Sequence, residues 1–349
     1  MAGTIDIAPA GSPTPSAPPP GRNVTRAPRE QTSSWPLADR VGYWLAWCVG
    51  VGLCVIALAI IAFMFVKGIS YLKPSMFWES PAPSVQQSQS GGFLDPIEGT
   101  LIVSGIGILI AAPLGIALAV WMTEYARPAW LAQAVESAIE MIAGVPSVVL
   151  ALFALLIFAK SFLGFLSTTA ADGAVYARSF FAAGAAMSVL ALPLIVTSTR
   201  EGLVQLPGRM REASYALGRT RITTIRRILL PAVRPDMASG IVLGLGRIIG
   251  DTAIITIVLG GTLTLEGVGH TPIISTLRGT GSTLTSYVYV NSPAGEGSAP
   301  QKAYAAAFVL LLIVLALNGL VAVIVNRAGS TEPGLSSRLL AVRWLPWTR

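Results

Sequence analysis

Histidine and cysteine are almost missing from this sequence. His270 is the only histidine, and the two cysteines, Cys48 and Cys54, lie together in one apolar block. One histidine cannot build a histidine-based metal site or a Ser/His triad. The spacing of the two thiols puts them on different sides of a helix, so they read as reduced, lipid- or helix-facing residues and not as a disulfide or metal pair. Charge is also scarce. Asp, Glu, Lys and Arg make up 12% of the chain, against about 25% in a typical soluble domain. No Gly-Lys dipeptide occurs, so the chain has no P-loop to cradle a nucleotide, and it has no Gly-x-Ser-x-Gly nucleophile turn. The length fits one large membrane domain but not a nucleotide-binding domain beside it. No catalytic constellation is present, so the chain does not read as an enzyme.

Apolar residues are abundant, at 53%, and they fall in long blocks. Residues 1–36 are the exception. They are rich in Pro, Ala, Ser and Thr, include Pro18-Pro19-Pro20, and cannot bury enough apolar surface to fold. They read as a disordered tail, and without an apolar core they are not a cleaved signal peptide. Six blocks then reach the roughly 20 residues needed to cross the hydrocarbon. They run near Val41–Val66, Gly99–Met122 (interrupted by Pro113), Val135–Ala159, Ser179–Thr197, Met237–Gly260 and Ala303–Val325. The expectation is an all-α integral membrane protein with six transmembrane helices. Residues 37–327 are expected to form the membrane domain and 328–349 a C-terminal tail.

The net charge is +7. Its placement between apolar blocks points to membrane topology and not to nucleic acid. Sixteen of the 24 Lys and Arg lie in the N-terminal tail, the loop between blocks four and five, and the C-terminal tail. An even number of spans puts those three segments on one side, which the positive-inside rule makes the cytoplasm. The loops 67–98, 160–178 and 261–302 are then external, and the turn 123–134, with Arg127 as its only Lys or Arg, is neutral in this test.

The loop 200–236 is the largest cytoplasmic connection. Arg211–Leu217 consists of good helix formers, and Gly218 ends that run as a C-terminal glycine does. Ile222–Leu230 makes a second short helix with apolar residues at helical spacing, which Pro231 should stop. By physics alone this is a helix–turn–helix at the membrane surface, with arginines that suit lipid headgroups.

Block five carries Arg247 and Asp251 near its middle. A charge there costs about 2.5–3.5 kcal/mol on insertion scales. Four residues apart, the two would share a helix face and could pair. Gly240, Gly244, Gly246 and Gly250 give the same helix small surfaces for close packing. Two readings stand: a structural ion pair, or an anion path in which the Arg247 fork donates to an oxyanion and Asp251 accepts the O–H of hydrogen phosphate, which sulfate lacks. Block three contains Gly144-Val145-Pro146-Ser147, where a bend, and so a tolerated kink or a gate, is expected.

The spacing Glu212-Ala213-Ser214, Gly218, Ile228, Leu230, Pro231 resembles the EAA pattern E-A-A-x₃-G-x₉-I-x-L-P of ABC importer permeases, with Ser214 in place of the second alanine. Gly246-Arg247-Ile248-Ile249-Gly250-Asp251-Thr252-Ala253 is similar to the PstA-type permease of the phosphate importer, which usually has Glu where Asp251 stands. Gly99-Thr100, Pro113-Leu114-Gly115 and Gly144-Val145-Pro146-Ser147 match more weakly. The resemblance spans roughly residues 40–327. It implies the MetI-like importer fold in a bacterial inner membrane, with both termini cytoplasmic. It also implies a partner PstC-type permease, a PstB-type ATPase dimer that binds ATP and Mg, and an external PstS-type phosphate-binding protein; this chain itself holds no cofactor. The ATPase would grip Arg211, Glu212, Ala213, Ser214, Gly218, Ile228, Leu230 and Pro231, while Arg247, Asp251 and Thr252 would line the phosphate path. The alternatives are an importer permease for another solute, or a secondary transporter needing no ATPase.

Overall fold

The computed structural model describes residues 37–81, 91–166, 178–260, 272–293 and 299–329. The N-terminal tail, the C-terminal tail and His270 lie outside them. The described residues are helical, without a strand. Four helices are individually long and apolar enough to span a membrane, and two bent pairs bring the count to as many as six.

The chain forms two units, residues 1–59 and 60–349. In the first, the described part is the beginning of α1 (Leu37–Ile69). Its side chains are exposed on all sides, including Trp44, Trp47, Leu53 and Leu58. A helix that is apolar all round and packs against little protein is built for lipid. Cys48 and Cys54 are free and exposed on it.

In the second unit, α2 (Leu94–Val120), α5 (Phe180–Gln205) and α9 (Arg234–Gly250) pack together around one apolar core that includes Val103, Ala111, Met187, Ala191, Ile195 and Ile248. Glycines set how closely these helices approach. A Cβ on Gly240 would come within 3.0 Å of the Ile195 backbone of α5, and one on Gly244 within 3.2 Å of Ala191. These two face α5 as small packing surfaces, whereas Gly246 and Gly250 face nothing within 4 Å. The α2 helix runs through Pro113 without interruption, contrary to the sequence expectation; packed neighbours let a membrane helix tolerate a proline.

A second apolar cluster joins Met76, Phe93, Leu284, Tyr287 and Val309 at the start of α2, with α11 (Leu284–Asn291) and α12 (Pro300–Gly329). The stretch 261–302, expected as a long external loop, therefore holds packed structure. Both α10 (Pro272–Arg278) and α11 lie within it, and Leu284 and Tyr287 are fully buried.

Block three is broken more sharply than a kink. It is two helices, α3 (Ala129–Gly144) and α4 (Ser147–Phe158), which meet at 106°. Val145 is extended, as a residue before proline prefers, and the Pro146 carbonyl accepts from the N–H of Val149 and Leu150 to start α4. Gly144, Pro146 and Ser147 thus form a corner, sharper than the bend that was expected.

Candidate functional site

The loop after α5 folds as a compact element on the ends of α2 and α5. Its first helix is α6 (Gly208–Ala216). Gly218 follows with φ +71, the left-handed conformation that suits glycine. The Gly218 N–H donates to the Tyr215 carbonyl and the Arg219 N–H to the Ser214 carbonyl. This pair of bonds is a Schellman cap. The chain then turns into α7 (Arg221–Thr224), widens into a π-turn over Ile225–Leu229, and ends as α8 (Leu230–Ala232). Pro231 does not stop the helix. The turn comes after Ala232, where α9 departs at 69°. Ile228 and Leu230 pack on a floor of Leu203, Ile225, Leu229 and Val233.

Ser214, the departure from the expected alanine, is buried, and its Oγ lies 2.8 Å from Thr224 Oγ1. The two hydroxyls bond one limb of the loop to the other. Arg211 turns inward. Its Nε and Nη2 contact Glu124 Oε1 at 2.9 and 2.8 Å, and its Nη1 and Nη2 donate to the carbonyls of Leu206 and Leu203. Glu124 sits in a π-turn, Trp121–Tyr125, that ends α2. Among the residues that face outward on α6 and its cap are Glu212, Ala213, Tyr215, Leu217 and Gly218, and Leu217 is 79% exposed. Sequence reasoning missed Glu124, 87 residues from Arg211 along the chain, and Thr224, which meets Ser214 from the loop's other limb.

In block five the helix breaks. Residue 250 ends α9, and Asp251 has an extended backbone with φ −85 and ψ 120. The chain becomes helical again at Ala253 and widens into a π-turn over Ile255–Leu259. Asp251 is buried and its Oδ1 accepts the Ile254 N–H at 3.0 Å, so the carboxylate caps the second half. The Thr252 carbonyl accepts from the Thr256 N–H and Oγ1. The expected pairing fails for this reason: Arg247 is on the helix and Asp251 is past its end, and no ion pair joins them. Among the described residues Arg247 has no hydrogen-bond or ionic partner. It is exposed, on a face with Gly246 and Gly250 where nothing lies within 4 Å of either glycine's Cβ position.

Beside the break is a cavity of about 10 Å³, lined by Thr100, Ser104, Thr283 and Thr285 together with Ile248, Ile249, Ile255 and Val103. That is room for a single water. Thr100 Oγ1 donates to the Pro96 carbonyl and accepts from the Leu284 N–H at 2.9 Å, which ties α11 to α2. Among the described residues no cluster of His, Cys, Asp or Glu has the makings of a metal site.

The family described as "binding-protein-dependent transport system inner membrane component" matches residues 111–330, which include the α6 loop, the break at Asp251 and α12. The chain belongs to that family. Within it, the chain is 31% identical to the phosphate transport system permease protein PstA 1 of Mycobacterium tuberculosis, over 70% of this chain and 73% of that one. It is 31% identical to the phosphate transport system permease protein PstC of Pasteurella multocida, over 55% of this chain and 63% of that one, just under two thirds of the relative's length. A solved bacterial alginate ABC transporter in complex with its periplasmic protein holds a chain that superposes with a TM-score of 0.56 at 18% identity, covering 85% of this chain and 99% of that one. That likeness establishes the shared fold. The protein is accordingly a multi-pass membrane permease of the MetI-like type.

Proposed function

We propose that this chain is a permease subunit of an ATP-driven importer of inorganic phosphate, and that it forms the translocation path together with a second, PstC-type permease. One observation carries the reading. Arg247 stands exposed and without a partner among the described residues, on a glycine-lined face in the last turn of α9, just before the break inside the fifth apolar block. An arginine left to lipid there would cost about 2.5–3.5 kcal/mol or more. That cost is avoided if the face meets a water-filled path, where the guanidinium can hold a passing oxyanion by two hydrogen bonds. The similarity to PstA and PstC permeases supports phosphate as the anion. The outward residues Glu212, Ala213, Tyr215, Leu217 and Gly218 suit a groove on a PstB-type ATPase dimer, which would bind ATP and Mg. A PstS-type binding protein would deliver phosphate on the opposite side. This places the α6 loop and both termini in the cytoplasm, in agreement with the distribution of arginine.

The test is phosphate uptake by the complex in reconstituted vesicles. Arg247→Ala is expected to assemble normally and to lose uptake roughly tenfold or more, as removal of a charge-assisted contact would. Undiminished uptake, or uptake of sulfate equal to that of phosphate by the wild type, would overturn the reading.

A further inference from the structure

Both limbs of the α6 loop hold the same residue of α2. From one limb, Arg211 places two nitrogens on the Glu124 carboxylate. From the other, Arg221 Nη1 donates to the Glu124 main-chain carbonyl at 2.8 Å, and its guanidinium lies 5.4 Å from the centre of the Tyr125 ring. The Glu124 side chain is only 6% exposed, so its pairing is geometrically strict and not a loose surface contact. Beneath these contacts, Val120 of α2 packs on the loop's own apolar floor.

We propose that α2 is the helix through which movement of the loop enters the membrane domain, with Glu124 and Arg221 as the positioning residues that transmit it. The proposal rests on the reading of α6 as the ATPase-docking element. The loop continues covalently into α5 and α9, so those helices follow it in any case. α2 has no such connection and is held only by side chains. Its end is also built to yield. Residues Trp121–Tyr125 form a π-turn, a widened turn frequent at functional sites. Thr123 Oγ1 takes up the Ala119 and Val120 carbonyls there, and Ala126 then leaves the helix. Above the turn, the 27 residues of α2 form one helix, about 40 Å long at 1.5 Å per residue. Its far end is bonded to α11 through Thr100. A pull on Glu124 would therefore reach the packed segment beside the Asp251 break.

The experiment uses the whole complex, purified with its ATPase and reconstituted. Arg221→Gln removes an exposed side chain and should fold. Glu124→Gln keeps an acceptor for Arg211 but removes the charge. The expected result for both is normal co-purification of the ATPase, ATP hydrolysis within about twofold of wild type, and phosphate taken up per ATP reduced roughly tenfold, within the usual range of coupling effects. An unchanged ratio would overturn the proposal. So would a parallel fall in co-purification, hydrolysis and uptake, which would mean that the contacts only hold the docking surface together. Hydrogen exchange at residues 120–126, with and without a non-hydrolysable ATP analogue, needs no cargo. A wild-type response that Arg221→Gln abolishes supports transmission, and one that persists in the variant refutes it. The wild-type uptake measurement alone tests the phosphate assignment, so the two ideas fail separately.

Discussion

Asp251 has one oxygen committed to the Ile254 N–H, which separates two roles its carboxylate could play. As a cap it needs only an acceptor. As a reader of the phosphate proton it needs a charge. Asp251→Asn keeps the acceptor and loses the charge, whereas Asp251→Ala loses both and costs about 1–2 kcal/mol as a lost helix cap. If capping is the whole role, uptake and phosphate-over-sulfate selectivity survive in Asp251→Asn, and thermal stability falls only in Asp251→Ala. If the charge reads the proton, selectivity falls in Asp251→Asn with stability intact. Competition uptake together with thermal unfolding tells them apart. The sequence made both residues conspicuous, since charges in an apolar block stand out. It could not show that the helix ends between them, because a four-residue spacing implies a shared face only where the helix continues. Ser214 was legible as a small residue at an expected small position. Its bond to Thr224 required the two limbs to be folded together.

Among elements, the joint between α2 and α11 makes the firmest stability prediction. A Cβ on Gly99 would run into the Ser282 carbonyl, while one on Gly105 in the same helix meets nothing within 4 Å. Gly99→Ala should destabilise the protein by roughly 1–3 kcal/mol through overpacking. Gly105→Ala should be neutral or stabilising by up to about 1 kcal/mol, from helix propensity. Thermal unfolding of the detergent-solubilised protein measures both, and equal effects would contradict the packing. The breaks between elements were read unevenly in sequence. Gly218 was recognised as a helix end, since its left-handed backbone is a local property. Pro231 was misjudged as a stop, while at Gly144–Ser147 a bend was expected but not its sharpness. A proline removes one N–H wherever it stands, but whether the helix continues, bends or turns through 106° depends on the neighbours that replace the lost contact.

On the scale of the whole molecule, sidedness is the property to test. Replacing Cys48 and Cys54, both free and exposed, and placing one cysteine at Leu217 gives a single reporter on the α6 cap. In vesicles of known orientation, a membrane-impermeant maleimide should label it only from the face that binds the ATPase. Added ATPase should protect it, because Leu217 is 79% exposed without one. Labelling from the opposite face would invert the topology.

Composition and local order by themselves determined that the chain is helical, that it crosses a membrane several times, and where its EAA-like loop lies. Those properties follow from apolar block length, charge placement and short-range spacing, all of which act along the chain. Tertiary structure alone decided that Arg211 faces inward to Glu124, that Arg247 stands apart from Asp251, and that 261–302 contains packed helices. The first and the last depend on residues brought together from distant positions, and the second on a helix end that spacing alone does not show. Arg211 and Glu124 are 87 residues apart, and nothing along the chain between them records that they meet.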